Sequence, residues 1–297
     1  MAHHTILVTV LMPCKDPKGA FFKKTLESVF SQNTPVWNLI VIVDHNEKIA
    51  TINDLKELSI SKDKRVSVIK NESKLITGAL NTGMKYAKTP YVCSVHCDDL
   101  LDRKAIGVLN GYIKKYPDID YFHSSRVHIN EDGSAVGPML KARESFNLSD
   151  FKHFGPVKHL HCWKVKSALY IGGMDESLGR HGADDYDFPW CMAEAGFSFK
   201  AIQECLYYYR DHRTHFRLTT HVPLNSQIAE LKKIFKKHGL DEKEIMDQIE
   251  RRKKGYLRQA LFKDNEDKRI KEKDLNLVMS KGWREKIDKD DSEISGD

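Results

Sequence analysis

Two stretches of this 297-residue chain gather carboxylates in a pattern that chemistry can use. In HCDDLL, Asp98 and Asp99 follow the apolar run of Tyr91, Val92 and Val95. Adjacent anions repel unless a cation lies between them and a partner. Carboxylate oxygens of this kind suit Mg2+ or Mn2+ shared with substrate phosphates. The plainer alternative is a strand-ending turn, which Asp favours. In GADDYDFPW, Asp184, Asp185 and Asp187 open a predicted helix. Clustered carboxylates raise one another's pKa, which moves one toward useful basicity. Here the plainer alternative is a favourable place at the positive end of the helix dipole. A third set, Arg210, His212, Arg213, His215 and Arg217, crowds the end of the last predicted strand, as anion contacts or as a solvated basic loop.

These residues need a frame. Residues 5–12 read as a strand closed by Pro13, and Phe22, Leu26, Val29 and Phe30 recur at helical spacing after it. WNLIVIVDHN is a second apolar strand, ending at Asp44, so the opening is a βαβ unit with a parallel sheet. A helix over about 51–60, the strand RVSVIK and a helix around Ala79 to Ala87 lead to the strand that stops at Asp98. Three strands thus end in polar clusters: Cys14-Lys15-Asp16, Asp44-His45-Asn46 and Asp98-Asp99. In a parallel sheet they share one edge, where ligands bind. Beyond it the pattern predicts a helix at 103–116, a hairpin from DIDYFHSSRVHIN through the turn at 131–133, and an irregular loop over 141–156. A strand in VKHLHCWKV, a short helix in KSALYIGG and a last strand in AIQECLYYYR follow. From residue 223 a stripe of Ile228, Leu231, Ile234 and Phe235 runs beside Lys232, Lys233, Lys236 and Lys237, and a second helix follows. Beyond Lys263 mixed charge predicts a disordered end. The expected organisation is an α/β domain over residues 1–222 and a charged helical extension over 223–297.

Composition narrows the function. Net charge is +6, with basic residues mixed among acids and no reader motif, which argues against a nucleic-acid partner. There is no GxGxxG after the first strand and no GxxxxGK[ST], so dinucleotide-dehydrogenase and P-loop readings lose their main support. Six cysteines without a Cys-x-x-Cys pair suggest buried free thiols and a reducing, cytoplasmic setting. ILVTVLM is too short to span a bilayer. The basic and apolar stripes of the last helices fit either peripheral contact with the inner face of a membrane or a helix packed on the domain with solvated lysines.

Taken in order, the motifs resemble the family 2 glycosyltransferases with the GT-A fold, over roughly residues 5–220. Pro13-Cys14-Lys15-Asp16 resembles the family's Pro-Thr-Tyr-Asn loop, and IVIVDHNE its nucleotide-binding Val-Asp-Asp segment. Asn81-Thr82-Gly83 is similar to the Asn-x-Gly helix, and HCDDLL to the Asp-x-Asp-Asp metal motif. Gly172-Gly173-Met174-Asp175-Glu176, then Ala183-Asp184-Asp185-Tyr186-Asp187, resemble its Gly-Gly-Phe-Asp-Glu and Glu-Asp-Tyr-Asp segments, and Tyr209-Arg210-Asp211-His212 resembles its closing segment. The chain departs from the pattern at His96 for the first Asp of the metal motif, at His45 for the second Asp of the base-binding segment, and at Leu80 for a common Arg.

The resemblance implies a Rossmann-like, mainly parallel sheet flanked by helices. It implies transfer of a sugar from a nucleoside-diphosphate sugar, a UDP-sugar being favoured, with inversion, to a glycan or lipid-linked acceptor. Mn2+ or Mg2+ would sit on Asp99, Asp98 and His212. Pro13, Cys14, Asp16, Asp44, His45, Asn81, His96, Asp98 and Arg210 would bind the nucleotide sugar. Asp185 would be the general base, with Asp184 beside it and Asp187 structural, while His161 and Trp163 would face the acceptor, the plainer alternative for Trp163 being a buried core residue. The rival readings are a non-catalytic nucleotide-sugar binder, prompted by His45 and His96, and a sugar nucleotidyltransferase, whose glycine-rich opening loop is absent.

Overall fold

The computed structural model describes residues 5–15, 20–44, 62–153, 155–178, 183–210 and 224–263. The chain divides into two compact units, Met1–His212 and Arg213–Asp297. In the first, β1 (Val8–Cys14), α1 (Ala20–Phe30), β2 (Asn38–Val43) and β3 (Val66–Lys70) are followed by α2 (Leu75–Tyr86), β4 (Tyr91–Ser94) and β5 (Leu100–Leu101). Then come α3 (Ala105–Lys115), β6 (Tyr121–Ile129), a 3-10 turn at Leu148–Lys152, β7 (His161–Lys164), α4 (Val165–Tyr170), α5 (Asp184–Glu194) and β8 (Phe199–Arg210). The helix expected over 51–60 lies outside the described residues.

One eight-stranded sheet runs in the order β3-β2-β1-β4-β7-β6-β8-β5. β1 pairs in parallel with β2 and β4, and β2 with β3, so the C-terminal ends of β1, β2 and β4 share an edge. β7 enters antiparallel between β4 and β6, which makes the sheet mixed. β8 lies parallel beside β6, and two-residue β5 closes that side antiparallel to β8. The expected hairpin is reduced to β6, a turn bonded from Asn130 to Ser134, and two isolated bridges, Arg126 to Leu140 and Ile129 to Ala135.

Pro13 corrects the first boundary, because it lies inside β1 rather than ending it. Leu11 offers its carbonyl to Val95, on the β4 side, and Pro13 has the same parity. The named pairing with β4 ends at Leu11 and Ser94, so the missing proline N–H breaks no rung. The core follows the sequence periodicity: Phe22, Leu26 and Val29 of α1 are buried against strand residues such as Val10, Met12 and Val41. Gly83 lets α2 press onto the sheet, since a Cβ there would lie 2.9 Å from Leu11 and 3.1 Å from Ile42.

The second unit is described as α6 (Leu224–Lys237) and α7 (Glu242–Lys263), which pack on each other. Ile234, Phe235, Ile245 and Ile249 are buried, while Lys233, Lys236 and Lys237 are exposed. Among the described residues no helix is long and apolar enough to cross a membrane.

Candidate active site

The carboxylate pair sits in a turn just past β4, closed by the Asp99 N–H donating to the His96 carbonyl at 3.1 Å. Asp99 points inward and is buried. Its Oδ2 accepts from the Tyr207 hydroxyl at 2.6 Å and its Oδ1 from the Arg210 N–H at 2.7 Å, both on β8. Thr25 of α1 donates to the Asp99 carbonyl at 2.7 Å. Asp98 is half-buried. Burial pushes the Asp99 carboxyl up to about 6, and the Asp98 charge adds to this, against His96 and the two donors from β8. His96 Nδ1 lies 4.0 Å from Asp99 Oδ2. Ligand atoms of His96, Asp98 and Asp99 lie within 4.8 Å of one another. This donor set fits a divalent cation, because two close carboxylates, one of them hard to ionise alone, are what such a charge relieves.

A second cluster adjoins the first. His159 and His161 alternate on and just before β7, and both are buried. Their ring centroids are 4.2 Å apart, and the His159 ring is 5.5 Å from that of His96. Asp185, in the first turn of α5, has a side chain 43% exposed and places Oδ2 3.9 Å from His159 Nε2. Its neighbours differ: Asp184 and Asp187 are buried, and the Cys191 thiol lies 3.7 Å from Asp187 Oδ2. Tyr186 anchors this helix start by donating to the Phe151 carbonyl, and Phe151 stacks on Trp190 with centroids 5.8 Å apart. Burial, with the cations and imidazoles around them, holds His159 and His161 well below the ordinary histidine pKa, so both are neutral.

At the β1–β2 end, the Asp44 N–H donates to the Cys14 carbonyl at 3.0 Å, which puts both strand ends side by side. Asp44 Oδ1 accepts from Asn71 at 2.6 Å. Asp16, His45 and His212 lie outside the described residues.

The family model for glycosyl transferase family 2 matches residues 9–166, from β1 into the start of α4. The chain belongs to glycosyl transferase family 2. An uncharacterized glycosyltransferase of Methanocaldococcus jannaschii is 29% identical over 211 residues, 69% of this chain and 70% of that one. The O-antigen biosynthesis protein RfbC of Myxococcus xanthus is 23% identical over 69% of this chain and 16% of its own length. Among solved structures, S. aureus TarS 1-349 in complex with UDP-GlcNAc superposes with a TM-score of 0.61 at 14% identity, covering 95% of this chain and 76% of that one. That likeness carries the fold, which is GT-A.

Within this family 2 glycosyltransferase three expected site residues have other duties. Trp163 is buried, stacked with Tyr121 at 6.1 Å, and donates from Nε1 to Met84 Sδ at 3.0 Å, so it is core and not an acceptor contact. Arg210 is buried too. Nε donates to the Asp98 carbonyl at 2.7 Å, and Nη1 to those of Asn130 and Glu131 at 2.8 and 2.9 Å. It braces the carboxylate turn from behind and is not placed as a diphosphate donor. Asn81 spends its amide on the loop after α4: Oδ1 accepts from the Met174 N–H at 2.8 Å, and Nδ2 donates to the Met174 carbonyl and to Glu176, both at 2.9 Å. Sequence reasoning missed Tyr207, Arg126 and His159. The alternation of His159 with His161 in KHLHCW was the available signal for the last, while Tyr207 stood in an aromatic run that reads equally as core.

Proposed function

We propose that this glycosyltransferase moves a sugar from a nucleoside-diphosphate sugar, by preference a UDP-sugar, to an acceptor hydroxyl by single displacement with inversion. The observation that carries this reading is one unbroken row of polar groups. It runs from Asp98 and Asp99 through His96 to His159 and the exposed carboxylate of Asp185. Charge-handling groups stand at one end and a proton acceptor at the other, as displacement at a phosphorylated sugar carbon requires.

A divalent cation on Asp98, Asp99 and His96 would neutralise the charge that builds on the departing diphosphate. The imidazole nitrogen among the donors favours Mn2+ over Mg2+. Asp44, beside the Cys14 backbone, would accept from a pyrimidine imide N–H. Asp185 takes the proton of the acceptor hydroxyl as that oxygen attacks. With one base and, among the described residues of the row, no protein nucleophile, attack and departure would fall on opposite sides of the anomeric carbon, which inverts it. The TarS complex with UDP-GlcNAc supports a nucleotide-sugar donor, and the O-antigen relative supports a glycan or lipid-linked glycan acceptor. A pure binder has no use for an exposed carboxylate at this position.

The test is a thermal-shift panel of UDP, GDP, TDP and CDP, each with and without Mn2+. UDP should raise the melting temperature, and more so with Mn2+. Indifference to all four nucleotides would overturn the donor reading.

A further inference from the structure

The buried face beside Asp185 holds an arrangement that the displacement above does not yet use. Arg126 Nη1 lies 2.9 Å from His159 Nδ1. A guanidinium only donates, so Nδ1 must be an acceptor and the single proton of the neutral ring must sit on Nε2. That Nε2 is buried and meets no hydrogen-bond partner. It is 3.9 Å from Asp185 Oδ2, too long for a hydrogen bond as it stands but one rotamer adjustment from making one.

Arg126 lies at an irregularity in the sheet. The pairing of β6 with β8 shifts register between Ser124 and Arg126, with the extra residues on the β8 side, where Ser124, Ser125 and Arg126 face Ile202, Cys205 and Tyr207. The Arg126 guanidinium lies 4.9 Å from the Tyr209 ring centroid, over its face, with His159 alongside. The ring of His159 is fixed in turn by Tyr207 and His161, at centroid distances of 5.1 and 4.2 Å.

We propose that His159 is a positioning residue for the base: locked by Arg126 as the Nε2–H tautomer, it holds one oxygen of Asp185 and leaves the other to take the acceptor proton. This rests on the reading of Asp185 as base. The proton of His159 stays where it is throughout, and the acceptor's proton ends on Asp185. The same lock argues against a metal ion on His159, His161 and Asp185. A ligating Nε2 needs its lone pair, and Arg126 has already fixed the proton there.

The test needs no sugar substrate, so its failure is distinct from failure of the transferase reading. In protein with 15N-labelled histidine, His159 should show a protonated Nε2 and an unprotonated, hydrogen-bonded Nδ1. Arg126→Met, which leaves the ring in place, should release that preference. With 13C-labelled aspartate, assigned through Asp185→Asn, the Asp185 carboxyl should titrate at higher pH in His159→Phe and near the wild-type value in His159→Gln. The other groups facing it, Asp184 from its own helix, His161 from β7 and Tyr121 from β6, are unchanged in these variants. UDP affinity with Mn2+ should match wild type, which shows the variants folded. A protonated Nδ1, an unmoved Asp185 titration in His159→Phe, or Zn2+ capturing His159 Nε2 would each overturn the proposal.

Discussion

Asp185 and Asp98 belong to one row but should fail differently. Asp185→Asn keeps shape and removes basicity, so kcat should fall by about 10²–10⁴-fold while UDP binding with Mn2+, read by calorimetry, stays unchanged. Lost binding would instead make it a donor contact. Asp98→Asn should abolish the Mn2+ contribution to UDP binding. It should also lower the Asp99 pKa, since the like charge of Asp98 adds to burial in holding that pKa near 6. The pH dependence follows. Protons compete with the cation for Asp99, so Mn2+-linked UDP binding should be near its plateau at pH 7 and weaken by about tenfold per unit below 6. A flat profile from pH 7 to 5 would mean that Asp99 does not ligate.

At the scale of elements, the loop after α4 is pinned to α2 by Asn81, and Gly173 is what allows the approach. Gly173 has φ of +80°, and a Cβ there would sit 2.7 Å from Asn81 Oδ1. Gly173→Ala should therefore cost about 1–3 kcal/mol, from the left-handed backbone and the clash together. Asn81→Ala should cost a similar amount by stranding the Met174 backbone groups. Urea denaturation measures both, and values within 0.5 kcal/mol of wild type, on the order of an ordinary surface change, would show that the loop is not fastened this way.

For the whole molecule, buried neutral imidazoles set the response to acid. Burial holds His123 at about 4, and His159 and His161 are held well below their ordinary value. Below pH 6.5 the unfolded chain binds protons that the native fold refuses, so stability falls as pH drops. His123 alone accounts for about 3 kcal/mol between 6.5 and 4. Asp99 acts in the opposite sense over nearly the same window, because the native fold takes its proton first. It offsets about one histidine and leaves two. Denaturation in metal-free buffer at pH 7, 6 and 5 should show a steady loss, whereas a flat or rising profile would mean that these rings protonate inside the fold.

The sequence by itself determined the parallel half of the sheet, because continuous apolar strands separated by a helix of 3.6 periodicity have few other ways to bury themselves. It also determined which strand ends carry carboxylates, and the ordered motifs pointed to the family. Only the tertiary structure decided what each polar side chain does. Arg210, Asn81 and Trp163 have the residue types of a binding site, yet they brace a turn, fasten a loop and fill the core, since the hydrogen-bond partners of their side chains lie 79 to 112 residues away along the chain. The partnership of His159 with Arg126 was invisible for the same reason. Their meeting depends on an antiparallel strand inserted between parallel ones and joins residues 33 apart along the chain, and no local pattern encodes it.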